Sequence, residues 1–176
     1  VMALSGAAVV WTFLRVWEAQ SRLAAASAPR TWWLGVSVGE SNAYAVLGEW
    51  RARGLIPAAH AAVRADWWLL GAYIVFLTCT GLLLMWFLRY ERRSFAPVLL
   101  CFPLAGALLG VAENLCVLGM LAEPEQPSVL LAAIGGVAGT SKIILLAETL
   151  IAIAWAVGRL PHRIRRVDPR VLNFLG

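Results

Sequence analysis

Three charged side chains stand inside long apolar stretches and could support chemistry there. Lys142 is the only lysine of the chain, and it lies in the run 128–158, where the only other charge is Glu148. Glu113 lies in the apolar stretch that precedes this run. An ammonium in an apolar medium such as a bilayer interior costs at least ~2.5 kcal/mol unless it is paired or hydrated. A nearby carboxylate would compensate Lys142, and such a pair could transfer a proton or bind a polar head group.

Two helical faces share one pattern, in which two glycines four residues apart are followed by a charge three residues later. The residues are Gly106, Gly110 and Glu113 in one stretch and Gly135, Gly139 and Lys142 in the other. Small residues at this spacing let two membrane helices pack closely. Because the stretches are joined by a short turn near Glu125, they are antiparallel neighbours, and Lys142 falls about one turn, or ~6 Å, deeper than Glu113.

We therefore predict an intramembrane ion pair between Glu113 and Lys142, with Asn114 as a further hydrogen-bonding partner. Such a pair can fix the packing of two helices, or it can take part in catalysis. Glu148 follows Lys142 by six residues, about 120° around the helix, so it does not share that face. It could face another helix, a bound pigment or lipid, a water-filled pocket, or another subunit.

The composition indicates an integral membrane protein, since 61% of the residues are hydrophobic and the mean hydropathy is +0.75. We predict an all-α fold, a membrane four-helix bundle forming a single domain over 1–176. Each long apolar block meets the ~20 residues that a span needs, whereas the first span requires its helix to continue past Arg15. The predicted spans are 1–22, 67–88, 95–122 and 128–158, with an outer segment 23–66 and a basic inner tail 159–176.

The outer segment contains an apolar stripe that predicts an amphipathic or interfacial helix between spans one and two. Its apolar residues recur at helical spacing after Ser41 and Asn42, and Gly54 ends the pattern. Pro57 suits the first turn of a second helix, which could run into the second span without a break. The residues of the stripe are Ala43, Val46, Leu47 and Trp50.

The arginines predict how the chain lies in its membrane. The segment 89–93 and the tail 159–176 are rich in arginine, whereas the turn 123–127 has no basic residue. Basic loops stay on the side from which a chain is inserted, so both termini should face the cytoplasm, matrix or stroma. The start at Val1 leads us to expect a processed or truncated N-terminus. We expect the protein to lie in a bacterial inner membrane or in a mitochondrial inner or thylakoid membrane. The net charge of +5 is explained by these loops and by lipid contacts, so we expect no nucleic-acid partner.

Sequence motifs for a cofactor or a metal are missing. The only histidines, His60 and His162, lie outside the predicted spans, and the cysteines have no paired spacing. The sequence contains neither the catalytic motif of a hydrolase or a zinc peptidase nor a nucleotide-binding loop. We therefore predict no metal and no cofactor, while a bound lipid or pigment stays compatible with the sequence.

The residues around Glu113 and Lys142 resemble a family of uncharacterised four-span membrane proteins. The resemblance is carried by the stretch 105–114, which ends in Glu113 and Asn114, by 121–124, and by 140–142, which ends in Lys142. In that family a Glu-Asn pair in the third span is followed by a proline-bearing turn and by a basic residue in the fourth. The family often has an acidic residue where this chain has Gly110. The resemblance implies a four-span fold and a polar pair, but no established reaction.

Two functions fit these observations. The first is a non-catalytic accessory subunit of a larger membrane complex, plausibly respiratory or photosynthetic, which docks neighbouring subunits and lipids. The alternative is a small intramembrane enzyme or carrier for a lipid or isoprenoid substrate. The alternative requires Glu113, Lys142 and Glu148 to converge on one pocket, whereas the first requires Glu148 to meet another subunit.

Overall fold

The computed structural model describes residues 2–26, 28–29, 31, 40–87 and 97–164. Within these ranges the chain is helical and contains no strand, which confirms the all-α class. The elements are α1 Met2–Ala25, α2 Glu40–Ala52, α3 Ile56–Phe87, a π-helical turn Pro97–Cys101, α4 Phe102–Ala122 and α5 Val129–Ile164.

Among the described residues, three segments are long and apolar enough to cross a membrane. They are Ile56–Trp86, Val98–Ala122 and Val129–Gly158, and they contain most of the predicted spans 67–88, 95–122 and 128–158. The structure thus supports a membrane protein with three candidate spans and does not confirm a four-helix membrane bundle.

The predicted first span, 1–22, lies in α1 and is not among the three candidates. With 24 residues α1 is ~36 Å long, so its length would suffice. Its second half, however, carries three exposed charged residues, Arg15, Glu18 and Arg22. The Glu18 carboxylate lies 3.5 Å from the guanidinium of Arg15 and 3.7 Å from that of Arg22. These charges lower the apolar character of α1, so its crossing of a membrane stays a prediction.

The helices pack as two pairs, α4 with α5 and α1 with α3, and α3 connects the two pairs. The most extensive contact joins α4 and α5, which are antiparallel and connected by the turn at 123–128. The next most extensive contact joins α1 and α3, and α3 also packs on α4. Contacts of α1 with α4 and with α5 are sparse. A gap therefore remains between α1 and the α4–α5 pair, with α3 bridging it.

The helix predicted from the apolar stripe is present as α2, and its stripe faces the protein core. Leu47 and Trp50 are fully buried, and they pack in one cluster with Leu23 of α1, Val63 of α3 and Met120 of α4. Burial of apolar area in this cluster stabilises the end of the bundle where α1 and α4 finish. We call this end, covered by α2, the capped end.

Polar contacts fix α2 in place on the capped end. The indole Nε1 of Trp50 donates a hydrogen bond to the carbonyl oxygen of Pro29 at 2.8 Å. The guanidinium of Arg53 donates to the carbonyl of Ala26, and Arg51 lies 3.3 Å from Glu125 in the α4–α5 turn. The chain then turns at Gly54, whose φ is +66°, and α3 begins at Ile56 with Pro57 in its first turn. The short polar link between α2 and α3 thus holds the start of α3 against the core.

At the opposite end, α3 touches the π-helical turn at a point where only glycine fits. A Cβ built on Gly81 would collide with the carbonyl oxygen of Leu99 and lie 3.2 Å from its carbonyl carbon. Leu99 itself is almost fully buried. Backbone atoms cannot move away as a flexible side chain can, so this contact requires a residue without a side chain.

We predict that Gly81→Ala destabilises the protein and that Gly71→Ala does not. The first change forces a backbone shift, and overpacking of this kind costs about 1–3 kcal/mol. Gly71 lies on the same helix with nothing within 4 Å of a built Cβ, so alanine there should gain up to ~1 kcal/mol through helix propensity. Thermal unfolding of both variants in one detergent checks this. Equal melting temperatures would contradict the close contact of α3 with the π-helical turn.

Candidate functional site

A cavity of about 240 Å³ lies at the junction of α1, α3, α4 and α5. It occupies the gap that forms because α1 packs on α3 and hardly touches the α4–α5 pair. Its apolar lining consists of Phe13, Val16, Trp17, Val63 and Val117. Its polar lining consists of Gln20, Thr31, Asp66, Glu113, Asn114 and Lys142. One small space therefore combines an aromatic wall on α1 with charged groups on α3, α4 and α5.

The structure brings Glu113 and Lys142 into contact on the wall formed by α4 and α5. The Lys142 ammonium forms a salt bridge with Oε2 of Glu113. Only 15% of the lysine side chain and 11% of the glutamate side chain are exposed. In so little water, each charge depends on the other for its compensation. The pair thus joins α4 to α5 and also places two opposite charges at the cavity surface.

Gly110 provides the space through which Lys142 reaches Glu113. A Cβ on Gly110 would lie 3.2 Å from Cδ of Lys142 and would collide with the side chain of Leu70 on α3. Gly110 therefore accommodates the lysine stem and α3 at once. It lies three residues before Glu113, so the stem crosses α4 one turn away from the carboxylate that holds its ammonium.

The other glycines of the two predicted faces have different surroundings. A Cβ on Gly135 would lie 3.1 Å from Cβ of Cys116, so α5 approaches α4 closely there. A Cβ on Gly106 would meet Leu146 only at an ordinary 3.7 Å. Gly139 is buried. Close packing of α4 on α5 thus depends on Gly135 more than on Gly106.

Asp66 supplies a second carboxylate, which the sequence analysis did not select. The side-chain amide of Asn114 donates a hydrogen bond from Nδ2 to Oδ2 of Asp66 at 3.0 Å. Asn114 was predicted as a partner of the ion pair, and in the structure it bonds to α3 instead. Asp66 was overlooked because it precedes Trp67 and Trp68, which are typical of a membrane interface.

The distances along the helix axes predict that Asp66 lies level with Glu113. Asp66 lies ten residues after the start of α3, or ~15 Å along its axis. Glu113 lies nine residues before the end of α4, or ~14 Å along that axis. Both ends lie at the capped end, and α3 packs on α4, so the two carboxylates come to the same level.

Gln20 and Thr31 close the cavity where α1 ends. The backbone N–H of Thr31 donates to Oε1 of Gln20 at 3.1 Å, and Nε2 of Gln20 donates to the Thr31 hydroxyl. Both residues are buried. Neither was a predicted site residue, because isolated polar residues near the end of a helix carry no distinctive pattern in sequence.

Glu148 lies apart from the cavity. Its side chain is exposed on α5, beside a separate depression of about 360 Å³ lined also by Ile151, Ala152 and Trp155. The helical spacing predicted this separation from Lys142. The predicted convergence of Glu113, Lys142 and Glu148 on one pocket is therefore wrong. The charged groups that do meet at the cavity are Asp66, Glu113 and Lys142, so the second carboxylate comes from α3 and not from α5.

The cavity can therefore bind a polar group through hydrogen bonds and charge, and a carboxylate there can hold or release a proton. With all three groups ionised, two carboxylates and one ammonium give a formal charge of −1. Among the residues that the structure describes, no cluster of histidine, cysteine and acidic residues is arranged to hold a metal ion.

No family model, curated protein or solved structure matches this chain. The resemblance to a four-span family therefore stays a prediction drawn from short motifs, and the function must be inferred from the geometry.

We predict that Lys142→Met strongly destabilises the protein. The change leaves Glu113 without its counter-ion in a dry environment, and breaking a buried pair in this way costs about 3–5 kcal/mol. Adding Glu113→Gln should recover part of the loss, because a neutral amide is cheaper to bury than an unpaired carboxylate. Unfolding of the two single variants and the double variant, as a double-mutant cycle, measures the coupling.

Glu148→Gln provides the matched control for this cycle. It also neutralises a carboxylate of a candidate span, but its side chain is exposed and has no ion pair among the described residues. Its melting temperature in detergent should stay near that of the parent. Additive effects of the changes at 113 and 142 would show that the pair does not support the fold.

Proposed function

We propose that this chain is an integral membrane protein that binds an amphiphile in the cavity, as a carrier or enzyme acting on a lipid-like substrate. The observation that carries the proposal is the pairing of a charged end with an aromatic wall in one cavity. Phe13 and Trp17 belong to this wall, and about half of each residue's surface is exposed. The cavity thus extends from the charges to the lateral surface of the helices, where an apolar chain can lie.

The exposed charges of α1 and α3 support a position at the head-group level of a membrane. Arg15 lies ten residues before the end of α1, or ~15 Å from the capped end, and Arg64 lies eight residues, or ~12 Å, after the start of α3. Both are exposed, at nearly the level of Asp66 and Glu113. Exposed arginines are favourable at an interface and costly in the acyl region. A polar head entering from this boundary would reach the charges, and its tail would follow the apolar helices.

The proposed topology places the capped end outside and both termini on the cytoplasmic, matrix or stromal side. The arginine-rich segments 89–93 and 159–176, which support this orientation, lie wholly or largely outside the described residues. A bacterial inner membrane, a mitochondrial inner membrane or a thylakoid membrane would each satisfy it. In any of these, the polar side of the cavity would face the head group, and a carboxylate there could accept a proton from it.

We predict that a photoactivatable C12 alcohol labels the cavity, and that Val16→Trp abolishes this labelling. Val16 lines the cavity on α1, so an indole there fills space that the probe needs. Crosslinked peptides identified by mass spectrometry, with protein in nanodiscs, provide the measurement. Label should appear on the segments around positions 16 and 117.

Val10→Trp is the control for this labelling experiment. Val10 lies on the same helix, is 60% exposed and does not line the cavity. Its variant should label as the parent does, and both variants should keep the parent melting temperature. The proposed amphiphile site would be contradicted if the parent protein were labelled only on the outer faces of its helices.

A second function is favoured by Glu148. It lies nineteen residues into the 30-residue candidate span Val129–Gly158, so it is well away from both ends, and its side chain is exposed. A carboxylate facing acyl chains is costly. A transmembrane helix from another subunit, bringing a basic or hydrogen-bond-donating side chain, would remove this cost. On this proposal the chain is a non-catalytic accessory subunit of a larger complex, such as a respiratory or photosynthetic one.

We predict for this second function that a photo-crosslinker placed at position 151 captures one membrane subunit, and that Glu148→Lys prevents the capture. Ile151 is 69% exposed beside Glu148, so a docked helix must pass it. Native gels and mass spectrometry after mild-detergent purification provide the readout. Glu18→Lys, which reverses an exposed charge on α1, should leave the capture unchanged. Recovery of the parent chain alone, without a crosslink, would contradict the subunit function.

A further inference from the structure

Building on the proposed amphiphile site, we infer that the cavity selects ligands with a cationic nitrogen head, such as an alkylamine or a quaternary ammonium. The shape of the cavity and its apolar wall are compatible with several classes of head group. The charges of the lining decide between them.

Two of the three charged groups that line the cavity are paired with each other. The only ammonium of the lining, that of Lys142, is already engaged by Glu113. Asp66 receives one hydrogen bond from the neutral amide of Asn114, and within the described residues it forms no salt bridge. An amide donor satisfies a lone pair but leaves the negative charge in place. Among the described residues, the lining thus retains one uncompensated carboxylate.

The nearest arginine along α3 does not remove this charge. Arg64 precedes Asp66 by two residues, which places it about 200° around the helix. Its Nε donates to the backbone carbonyl of His60 at 3.5 Å, and its side chain is exposed. Residues two apart do not face each other on a helix. A cation that compensates Asp66 therefore has to come from outside this set of side chains, and a ligand can supply it.

The aromatic wall of the cavity offers a second contact for a cation. Phe13 and Trp17 on α1 are stacked, with ring centroids 6.4 Å apart and planes inclined by 28°. The faces of aromatic rings attract ammonium groups, and tryptophan does so most strongly. A methylated or primary ammonium in this cavity would meet a carboxylate on α3 and aromatic rings on α1. Its alkyl chain would leave along the same rings.

Other head groups suit the lining less well. A phosphate, sulfate or carboxylate head would meet two carboxylates, and the one ammonium that could receive it is paired. A neutral polyol could donate hydrogen bonds to Asp66 but would not compensate its charge. The expected order of affinity is therefore cationic, then neutral, then anionic.

The test compares probes that share one C12 tail and differ only in their heads. Dodecyltrimethylammonium, dodecyl maltoside and dodecyl phosphate would each compete, below their micelle concentrations, with the C12 alcohol label of the cavity in nanodiscs. The ammonium should reach half-competition at a concentration at least about tenfold below that of the maltoside, and the phosphate should compete least. A factor of ten corresponds to a single charge-assisted contact of modest strength.

Three variants assign the preference to Asp66. Asp66→Asn keeps the size of the side chain and should reduce the ammonium advantage to about twofold or less. Asn114→Asp adds a second negative charge at the same place and should enlarge the advantage, which also tests the inference if Asp66→Asn folds poorly. Glu18→Gln removes an exposed carboxylate from the outer side of α1 and should change nothing.

The outcomes separate this inference from the proposal on which it rests. Labelling of the cavity with dodecyl phosphate as the best competitor would overturn the cationic head group and leave the amphiphile site standing. An ammonium advantage that survives Asp66→Asn and is unchanged by Asn114→Asp would overturn the role of Asp66. Failure of the alcohol to label the cavity at all would overturn the amphiphile site itself.

Discussion

A lysine ammonium cannot remain unpaired in an apolar helix bundle, and the contact of Lys142 with Glu113 meets that constraint in this protein. The pair forms because α4 and α5 are antiparallel, joined by a short turn, and close enough at Gly135 for their side chains to meet. The lysine stem needs room on α4, and Gly110 provides it. The fold is thus organised so that one costly charge is compensated by a carboxylate of the preceding helix.

The same packing creates the cavity. Gly110 faces α3 as well as Lys142, so α3 approaches α4 and places Asp66 beside Asn114. α1 follows α3 and stays away from α5, which leaves the gap open on one side. The described lining of the cavity then contains one lysine and two carboxylates, of which only Glu113 pairs with the lysine. The negative charge of the cavity is therefore a consequence of how three helices pack, and no single helix contains it.

The parts of this arrangement that the sequence predicts are those fixed by short connections. The contact between Glu113 and Lys142 could be predicted because the short turn between α4 and α5 fixes how the two helices align along their axes. The helix α2 could be predicted because its apolar stripe has a helical period. Asp66 could not, because its neighbours lie on a helix 48 residues away and because Trp67 and Trp68 suggest an interface. The first predicted span is not among the candidate spans, since Arg15, Glu18 and Arg22 lower the apolar character of α1.

Asp66 and Glu148 show how the surroundings of a carboxylate determine what can compensate it. Asp66 lies in a cavity of about 240 Å³ between helices, a space that admits a head group and excludes another helix. Glu148 lies on an open, apolar surface beside Ile151 and Trp155, where a small ion would stay in contact with lipid. Compensation there requires a group that covers the apolar surface as well as the charge, and a transmembrane helix does both. The two proposed partners, a small amphiphile inside the bundle and a protein outside it, therefore differ because the surroundings of the two carboxylates differ, and the two proposals are compatible in a single chain.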